Sequence, residues 1–167
     1  MKWKAILAVV LLLPVLGAAT LAILSFRAGG RPRTLGLQDG KLHPCGDTPN
    51  CISSKSTASN QWMEPIPLTI EPARALELLK TVICTMPRAQ IVTADDQYLH
   101  AEFESALFRF VDDLEFVIKA DENLIHFRSQ SRVGYSDFGV NRRRMQSIIH
   151  AYQREASRLA RAPNNDR

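Results

Sequence analysis

Hydrophobic and polar positions recur along this chain with three different periods, and each period predicts a different element. From Ala5 to Leu24 twenty consecutive residues carry no charge, so every face of a helix built from them is apolar. At about 1.5 Å per residue such a helix is roughly 30 Å long, the thickness of a bilayer's hydrocarbon core. Pro14 falls in its middle, where a membrane helix tolerates it as a kink. A second helix is predicted from Glu71-Pro72 to the residues before Pro87, because Leu76, Leu79, Ile83 and Met86 return on one face. Cys84, among Val82, Ile83 and Met86, reads as a buried structural thiol.

Between residues 98 and 130 the period drops to two. Leu99, Ala101 and Phe103 alternate with Tyr98, His100, Glu102 and Glu104. Over 108–119, Phe108, Phe110, Leu114, Phe116 and Ile118 share a face opposed by Arg109, Asp113, Glu115 and Lys119. After an Asp121-Glu122-Asn123 turn, Ile125 and Phe127 oppose Leu124, His126 and Arg128, and Ile91 to Thr93 adds a short first strand. This predicts an antiparallel meander with one buried face and one solvated, charged face. A last helix carries Met145, Ile148, Ile149, Tyr152, Ala156 and Leu159 in one stripe, with Asn141 as N-cap and Val140 and Met145 as a hydrophobic staple.

The expected fold is therefore α+β: an N-terminal transmembrane helix followed by a two-layer sandwich of a three- or four-stranded antiparallel sheet with two helices on one face. Residues 1–26 are expected to be a membrane anchor or uncleaved signal and 27–41 a flexible linker. A globular domain is expected over 42–161, and a polar tail over 162–167.

Charge changes the picture once it is divided. The 167 residues carry a net +4 with a pI near 9.2, which suggests a basic protein. Five of the 21 Lys and Arg lie in residues 1–33, which hold no acid, leaving 16 basic against 17 acidic side chains in the rest. The domain is nearly neutral, and generic binding to nucleic acid loses its electrostatic support. Lys2 and Lys4 before the apolar run, with Gly17 and Ala19 near its end, also fit a cleaved signal peptide. Cleavage would leave Thr-Leu-Ala-Ile-Leu as an exposed apolar terminus, so a retained anchor is the favoured reading.

Cations flank the apolar run on both sides, so the positive-inside rule does not orient it. Cys45 and Cys51 break the tie. They close a seven-residue loop, and a disulfide there places the domain on the periplasmic or extracytoplasmic side. Two alternatives stand beside that reading: a metal site from His43, Cys45, Asp47 and Cys51, which lacks the close CxxC spacing typical of zinc, or two free thiols.

Three places break the local rules. Alternation puts Asp112 on the apolar face, where a carboxylate needs a bulge that turns it outward or an arginine from the following loop. The loop Arg128-Ser129-Gln130-Ser131-Arg132-Val133-Gly134-Tyr135-Ser136-Asp137 concentrates hydroxyls and arginines between a strand end and a helix start, with Ser136 or Asp137 as a second N-cap candidate. Arg142-Arg143-Arg144 occupy a first helical turn, where each cation opposes the helix dipole by about 0.3–1 kcal/mol. That cost calls for an anion, either internal (Asp112, Asp113 or Asp137) or a bound phosphate or carboxylate. The candidate binding residues are Asp112, Asp113, Arg128, Ser129, Arg132, Tyr135, Asp137, Asn141 and Arg142. No nucleophile elbow, glycine-rich phosphate loop or HExxH motif occurs, and neither a cofactor nor a metal is expected.

Four blocks in order carry a family resemblance: Leu42-His43-Pro44-Cys45-Gly46-Asp47-Thr48-Pro49-Asn50-Cys51-Ile52-Ser53-Ser54, Tyr98-Leu99-His100-Ala101-Glu102-Phe103, Phe108-Arg109-Phe110-Val111-Asp112-Asp113-Leu114-Glu115-Phe116, and Arg128 through Arg142. Together they resemble the family called domain of unknown function 1499, over roughly residues 40–155. The resemblance implies a domain often placed behind a membrane segment or signal, and brings no activity or catalytic residue with it. The expected function is a membrane-anchored envelope protein acting as a non-catalytic binding or accessory module. The alternative is an enzyme or anion-binding protein working on a small anionic ligand near Asp112 and Arg128–Arg142. Expected partners are the membrane through the N-terminal helix, and an envelope protein or small anionic ligand.

Overall fold

The computed structural model describes residues 2–27 and 30–161; the tail expected over 162–167 lies outside them. Helix α1 (Lys2–Arg27) contains Pro14 and is long and apolar enough to cross a membrane. The domain then runs β1 (Leu37–Gln38), β2 (Lys41–Leu42), β3 (Cys51–Ser53), β4 (Ile66–Pro67), α2 (Pro72–Cys84), β5 (Ala89–Ala94), β6 (Tyr98–Glu104), β7 (Val111–Lys119), β8 (Leu124–Ser131) and α3 (Val140–Arg161). The fold is α+β with a mostly antiparallel sheet, as the periods predict.

The sheet has six strands, not three or four. Its order is β3-β8-β7-β6-β5, with β4 also beside β8. Strands β3 and β4 are too short to show a period. They lie end to end along β8, with Ile52 opposite Ser129 and Ile66 opposite Ile125. Strand β7 begins at Val111, three residues later than alternation from Phe108 suggests. The reason is local. Ser105 N–H donates to the Phe110 carbonyl at 2.8 Å and closes the hairpin there, while Arg109 sits at φ 55°, outside strand conformation.

One apolar cluster joins the sheet to both helices. Leu99, Ala101, Phe103, Leu114, Phe116, Ile118, Ile125 and Phe127 meet Ala75, Leu76, Leu79, Val82 and Ile83 of α2 and Met145, Ile148, Tyr152 and Ala156 of α3. Phe116 and Phe127 are cross-strand partners with ring centroids 6.4 Å apart. Each buried Leu, Ile, Val, Phe or Met of the cluster contributes about 1.5–3 kcal/mol. Cys84 is exposed, contrary to the buried thiol expected: with Val82 and Ile83 turned into the core, the next position rotates out of it. Pro72 at the first position of α2 and the Glu71 carboxylate on Arg74 N–H, at 3.1 Å, start that helix as its sequence indicates.

The stretch expected to be a flexible tether carries structure. Residues 37–42 form a hairpin whose turn, Asp39 at φ 51° and Gly40 at φ 70°, takes the left-handed pair that two-residue hairpins require. Upstream of it, residues 31–36 lie across the second face of the sheet.

Candidate functional site

The predicted site residues separate onto two faces of the sheet and one surface loop. On the helix face, Asn141 is the hub. It is not the N-cap: α3 starts one residue earlier, and Asn141 is fully buried in the first turn. Its Nδ2 donates to Ser131 Oγ at 3.1 Å and to the Asn50 carbonyl at 3.2 Å, while its Oδ1 accepts from Ser129 Oγ at 2.5 Å and Arg144 Nη1 at 2.8 Å. Asp137 supplies the cap from outside the helix, accepting from Gly139 N–H at 2.9 Å and Asn141 N–H at 2.7 Å. A carboxylate there also answers the helix dipole.

Asp112 is on the helix face, as alternation requires, and pairs regularly with Phe103 and Ser131 without a bulge. Its counter-charge is Arg144 of α3, with Nη2 2.7 Å from Oδ2, not an arginine of the following loop. The same guanidinium stacks 4.6 Å over the Phe103 ring. Arg142 points elsewhere and donates to the carbonyls of Asn60 and Trp62. Arg143 donates to the Phe138 carbonyl at 3.0 Å. The arginine run of α3 is thus answered by protein oxygens.

A disulfide joins Cys45 and Cys51, with Cα atoms 5.7 Å apart. It secures the loop that presents Asn50, whose Nδ2 donates to the Gly134 carbonyl at 2.6 Å. Gln61 fastens the same loop through the carbonyls of Gly46 and Thr48. With both sulfurs in the disulfide, Cys45 and Cys51 are not thiolate ligands.

The opposite face was expected to be solvated. It is buried. Glu115 retains 1% of its surface and Arg128 3%, and they face each other across β7 and β8 with Nη1 2.9 Å from Oε2. Arg128 Nη1 also donates to the Thr34 carbonyl at 2.7 Å, and Nη2 to Gln130 Oε1. The second carboxylate oxygen of Glu115 accepts from Tyr98 Oη at 2.7 Å and Gly36 N–H at 2.8 Å. Burial first, and then the neighbouring Glu115 carboxylate, push the Tyr98 phenol well above its ordinary value and keep it a donor.

Beside this pair lies a second cluster. Asp113 accepts from Arg132 Nε at 2.8 Å and Nη2 at 2.6 Å, and its Oδ1 lies 2.8 Å from His100 Nε2. Arg132 Nη2 is also 2.6 Å from Glu102 Oε1, which Arg31 meets from the other side at 3.0 Å. Burial opposes the charge on Asp113, but Arg132 and then His100 outweigh it and hold the carboxyl below the usual range. Glu102 is likewise held low by Arg132 and Arg31 against its own burial. His100, Glu102 and Asp113 offer ligand atoms within 4.8 Å of one another, the donor set of a cation site. The Arg132 guanidinium already contacts both carboxylates, so the cluster carries its own cation.

Asp113, Arg128 and Arg132 therefore meet on the polar face, while Asp112, Ser129 and Asn141 meet beneath α3. Tyr135 stands exposed in the loop, and Asp137 and Arg142 border the helix start. Residues that sequence reasoning left out of the site include Asn50, Ser131, Arg144, Glu115 and Tyr98. Parity along β7 and β8 puts Glu115 and Arg128 on one face, and that was the available signal. Nothing local marks Asn50 as a partner of Ser131, Gly134 and Asn141, and the first-turn conflict that marks the α3 arginines does not say that Arg144 is the one that meets Asp112. A cleft of about 430 Å³ opens beside Asp112, between the β5 and β6 ends and α3, lined by Arg88, Phe103, Glu104, Asp112, Arg143 and Arg144 among others.

The sequence matches the model of a family described as a protein of unknown function, DUF1499, over residues 41–152. No curated protein and no solved structure matches the chain. The match spans most of the chain and the whole region from the disulfide loop to Tyr152, so this protein belongs to the DUF1499 family.

Proposed function

We propose that this member of the DUF1499 family is a single-pass envelope protein. Its two-layer domain, behind an uncleaved anchor, lies on the extracytoplasmic side and binds a partner without catalysing a reaction. The length and apolarity of α1 support the tether. The Cys45–Cys51 disulfide supports an oxidising compartment. The binding reading rests on one observation: the ionisable groups of the site are answered by each other. Asp112 pairs with Arg144, Asp113 with Arg132 and His100, and Glu115 with Arg128. General acid–base work needs a group free to exchange a proton with a substrate at an accessible position. Here Asp113 and Glu102 are held ionised by arginines, and residues 31–36 cross above them.

Two measurements test this. Thiol alkylation of the full chain in intact cells, before and after reduction, reads the compartment: an exported domain shows one reactive cysteine, Cys84, rising to three on reduction. Three reactive cysteines without reduction would place the domain in the cytoplasm. Proximity labelling from the full-length chain reads the partner. A short set of envelope proteins enriched above an anchor-only control is the expected result; labelling identical to that control overturns the partner-binding reading.

The cleft beside Asp112 favours a second reading. Arg88, Arg143 and Arg144 bring three cations against Glu104 and Asp112, a balance suited to a small anionic ligand. Calorimetric titration of the detergent-solubilised full chain with inorganic phosphate checks it. A saturable signal lost in Arg143→Ala favours the anion site, and no signal favours the partner-binding module.

A further inference from the structure

The chain leaves α1 at Arg27 and is held again at Arg31, whose Nε lies 3.0 Å from Glu102 Oε1. Four residues span no more than about 14 Å even when fully extended. The Glu102 end of the sheet is therefore leashed close to the C-terminal end of α1. Strand register defines that end. Glu104 faces Val111 at the mouth of the 105–110 loop, and Asp112 faces Ser131, just before the 132–139 loop. The opposite end holds the β5–β6 and β7–β8 turns, which is nine residues of β7 or about 30 Å away.

The two ends differ in chemistry as well as in distance from the anchor. The far turns present Asp95, Asp96, Asp121 and Glu122, all exposed, with Glu122 paired to Lys55 at 3.2 Å and His126 at 2.9 Å. The near end presents Leu107 at 78% exposure, Phe138 at 86% and Tyr135 at 74%. Around them stand the exposed cations Arg88, Arg109 and Arg143. Arg109 pairs with Glu104 at the surface, Nε 3.0 Å from Oε1 and Nη2 3.2 Å from Oε2, and Asp137 is occupied in capping α3. Phe138 has φ 53°, a conformation uncommon for a bulky side chain, and its ring is held outward.

We infer that this near end docks on the bilayer that holds α1. Leu107 and Phe138 enter the interfacial layer, while Arg109 and Arg143 meet anionic headgroups. Aromatic and leucine side chains beside arginines suit that boundary, where one part of the surface is apolar and the other charged. The acidic far end is turned away from the same surface by like charge. The inference rests on the tether proposed above: α1 supplies the location, and the two loops supply the orientation.

The test uses the full chain reconstituted in vesicles of phosphatidylethanolamine with phosphatidylglycerol. An environment-sensitive fluorophore is attached at Ala106→Cys or, at the far end, at Asp121→Cys, in a Cys84→Ser background. A lipid-borne quencher should act several-fold more strongly on the label at position 106 than at 121, with a blue shift only at 106. The difference should disappear in Leu107→Ser/Phe138→Ser and shrink in phosphatidylcholine vesicles. Equal quenching at the two positions in a chain that co-floats with vesicles overturns the docking and leaves the tether intact. A chain that fails to float overturns the tether and the docking with it.

Discussion

Phe116 and Phe127 are partners across β7 and β8, and so are Glu115 and Arg128, one residue along on the other side of the same strands. The first pair is sealed by α2 and α3 through apolar contact. The second is sealed by residues 31–36 through hydrogen bonds to Arg128, Tyr98 and Glu115. Both faces exclude water, but by different means. Dispersion and transfer from water hold the helix face without regard to direction. The polar face depends on each donor meeting its acceptor, because a buried charge without a partner is strongly unfavourable. The helix face should therefore lose stability with the volume removed, and the polar face whenever one charge is removed without its partner.

Single substitutions should cost about the same on both faces, and double substitutions should separate them. Arg128→Met should destabilise the domain by about 3–5 kcal/mol, since it leaves Glu115 buried and unanswered. Phe127→Ala should fall in a similar range of about 3–5 kcal/mol through cavity formation. Adding Glu115→Gln to Arg128→Met should recover part of the loss, whereas adding Phe116→Ala to Phe127→Ala should deepen it. Urea unfolding of the four variants decides the matter. A cost below about 1 kcal/mol for Arg128→Met would mean that the polar face behaves like an exposed surface pair.

Next in size is the disulfide. Cys45→Ser with Cys51→Ser should lower stability by about 2–2.5 kcal/mol by the chain-entropy estimate for a seven-residue loop. It should also loosen Asn50, and hydrogen exchange at Ser131, whose N–H bonds the Asn50 carbonyl at 3.0 Å, would report that. Unchanged exchange at Ser131 would separate the loop from the Asn141 hub.

Acid should weaken the polar face. The folded pKa of Asp113 lies below its unfolded value, so the stability it contributes is complete above about pH 4 and is lost as pH falls through the folded value. Asp113→Asn should be less stable at neutral pH and lose less stability on acidification than the parent. An identical acid profile in both would assign the acid sensitivity to other carboxylates. The smallest effect belongs to the exposed end: Leu107→Ser or Phe138→Ser should change stability by no more than about 0.5 kcal/mol, because neither side chain packs in the core.

Much of this fold is legible because burial leaves a period. Leu99, Ala101 and Phe103 alternate because β6 has two faces, and Met145, Ile148 and Tyr152 recur because α3 has one buried stripe. Asp39-Gly40, inside the stretch expected to be a flexible linker, carries the Asp-Gly signature of a two-residue hairpin turn, and both residues take positive φ. Strands β3 and β4 were not readable, because two or three residues cannot display alternation. The candidate site was half legible. Asp112 announced itself by sitting among apolar positions, and the arginines of α3 by their conflict with the helix dipole. Their resolution as one pair, Asp112 with Arg144, joins positions 32 residues apart and has no local sign.

The sequence alone determined which side of β6, β7 and β8 a residue occupies and that the N-terminal helix is apolar over the thickness of a bilayer core. It also determined that the domain balances its own charge. These follow from backbone geometry and composition, which do not depend on what lies above a strand. Only the tertiary structure decided that Tyr98, His100, Asp113, Glu115 and Arg128 are covered, because alternation gives a side chain's direction and not what meets it there. The covering comes from residues 31–36, with the β1–β2 hairpin packed beside them on β7 and β8. The Arg31 side chain and the Thr34 and Gly36 backbone meet Glu102, Arg128 and Glu115 only after β6, β7 and β8 have aligned in register. Complementarity of that kind belongs to the assembled surface, and no single segment contains it.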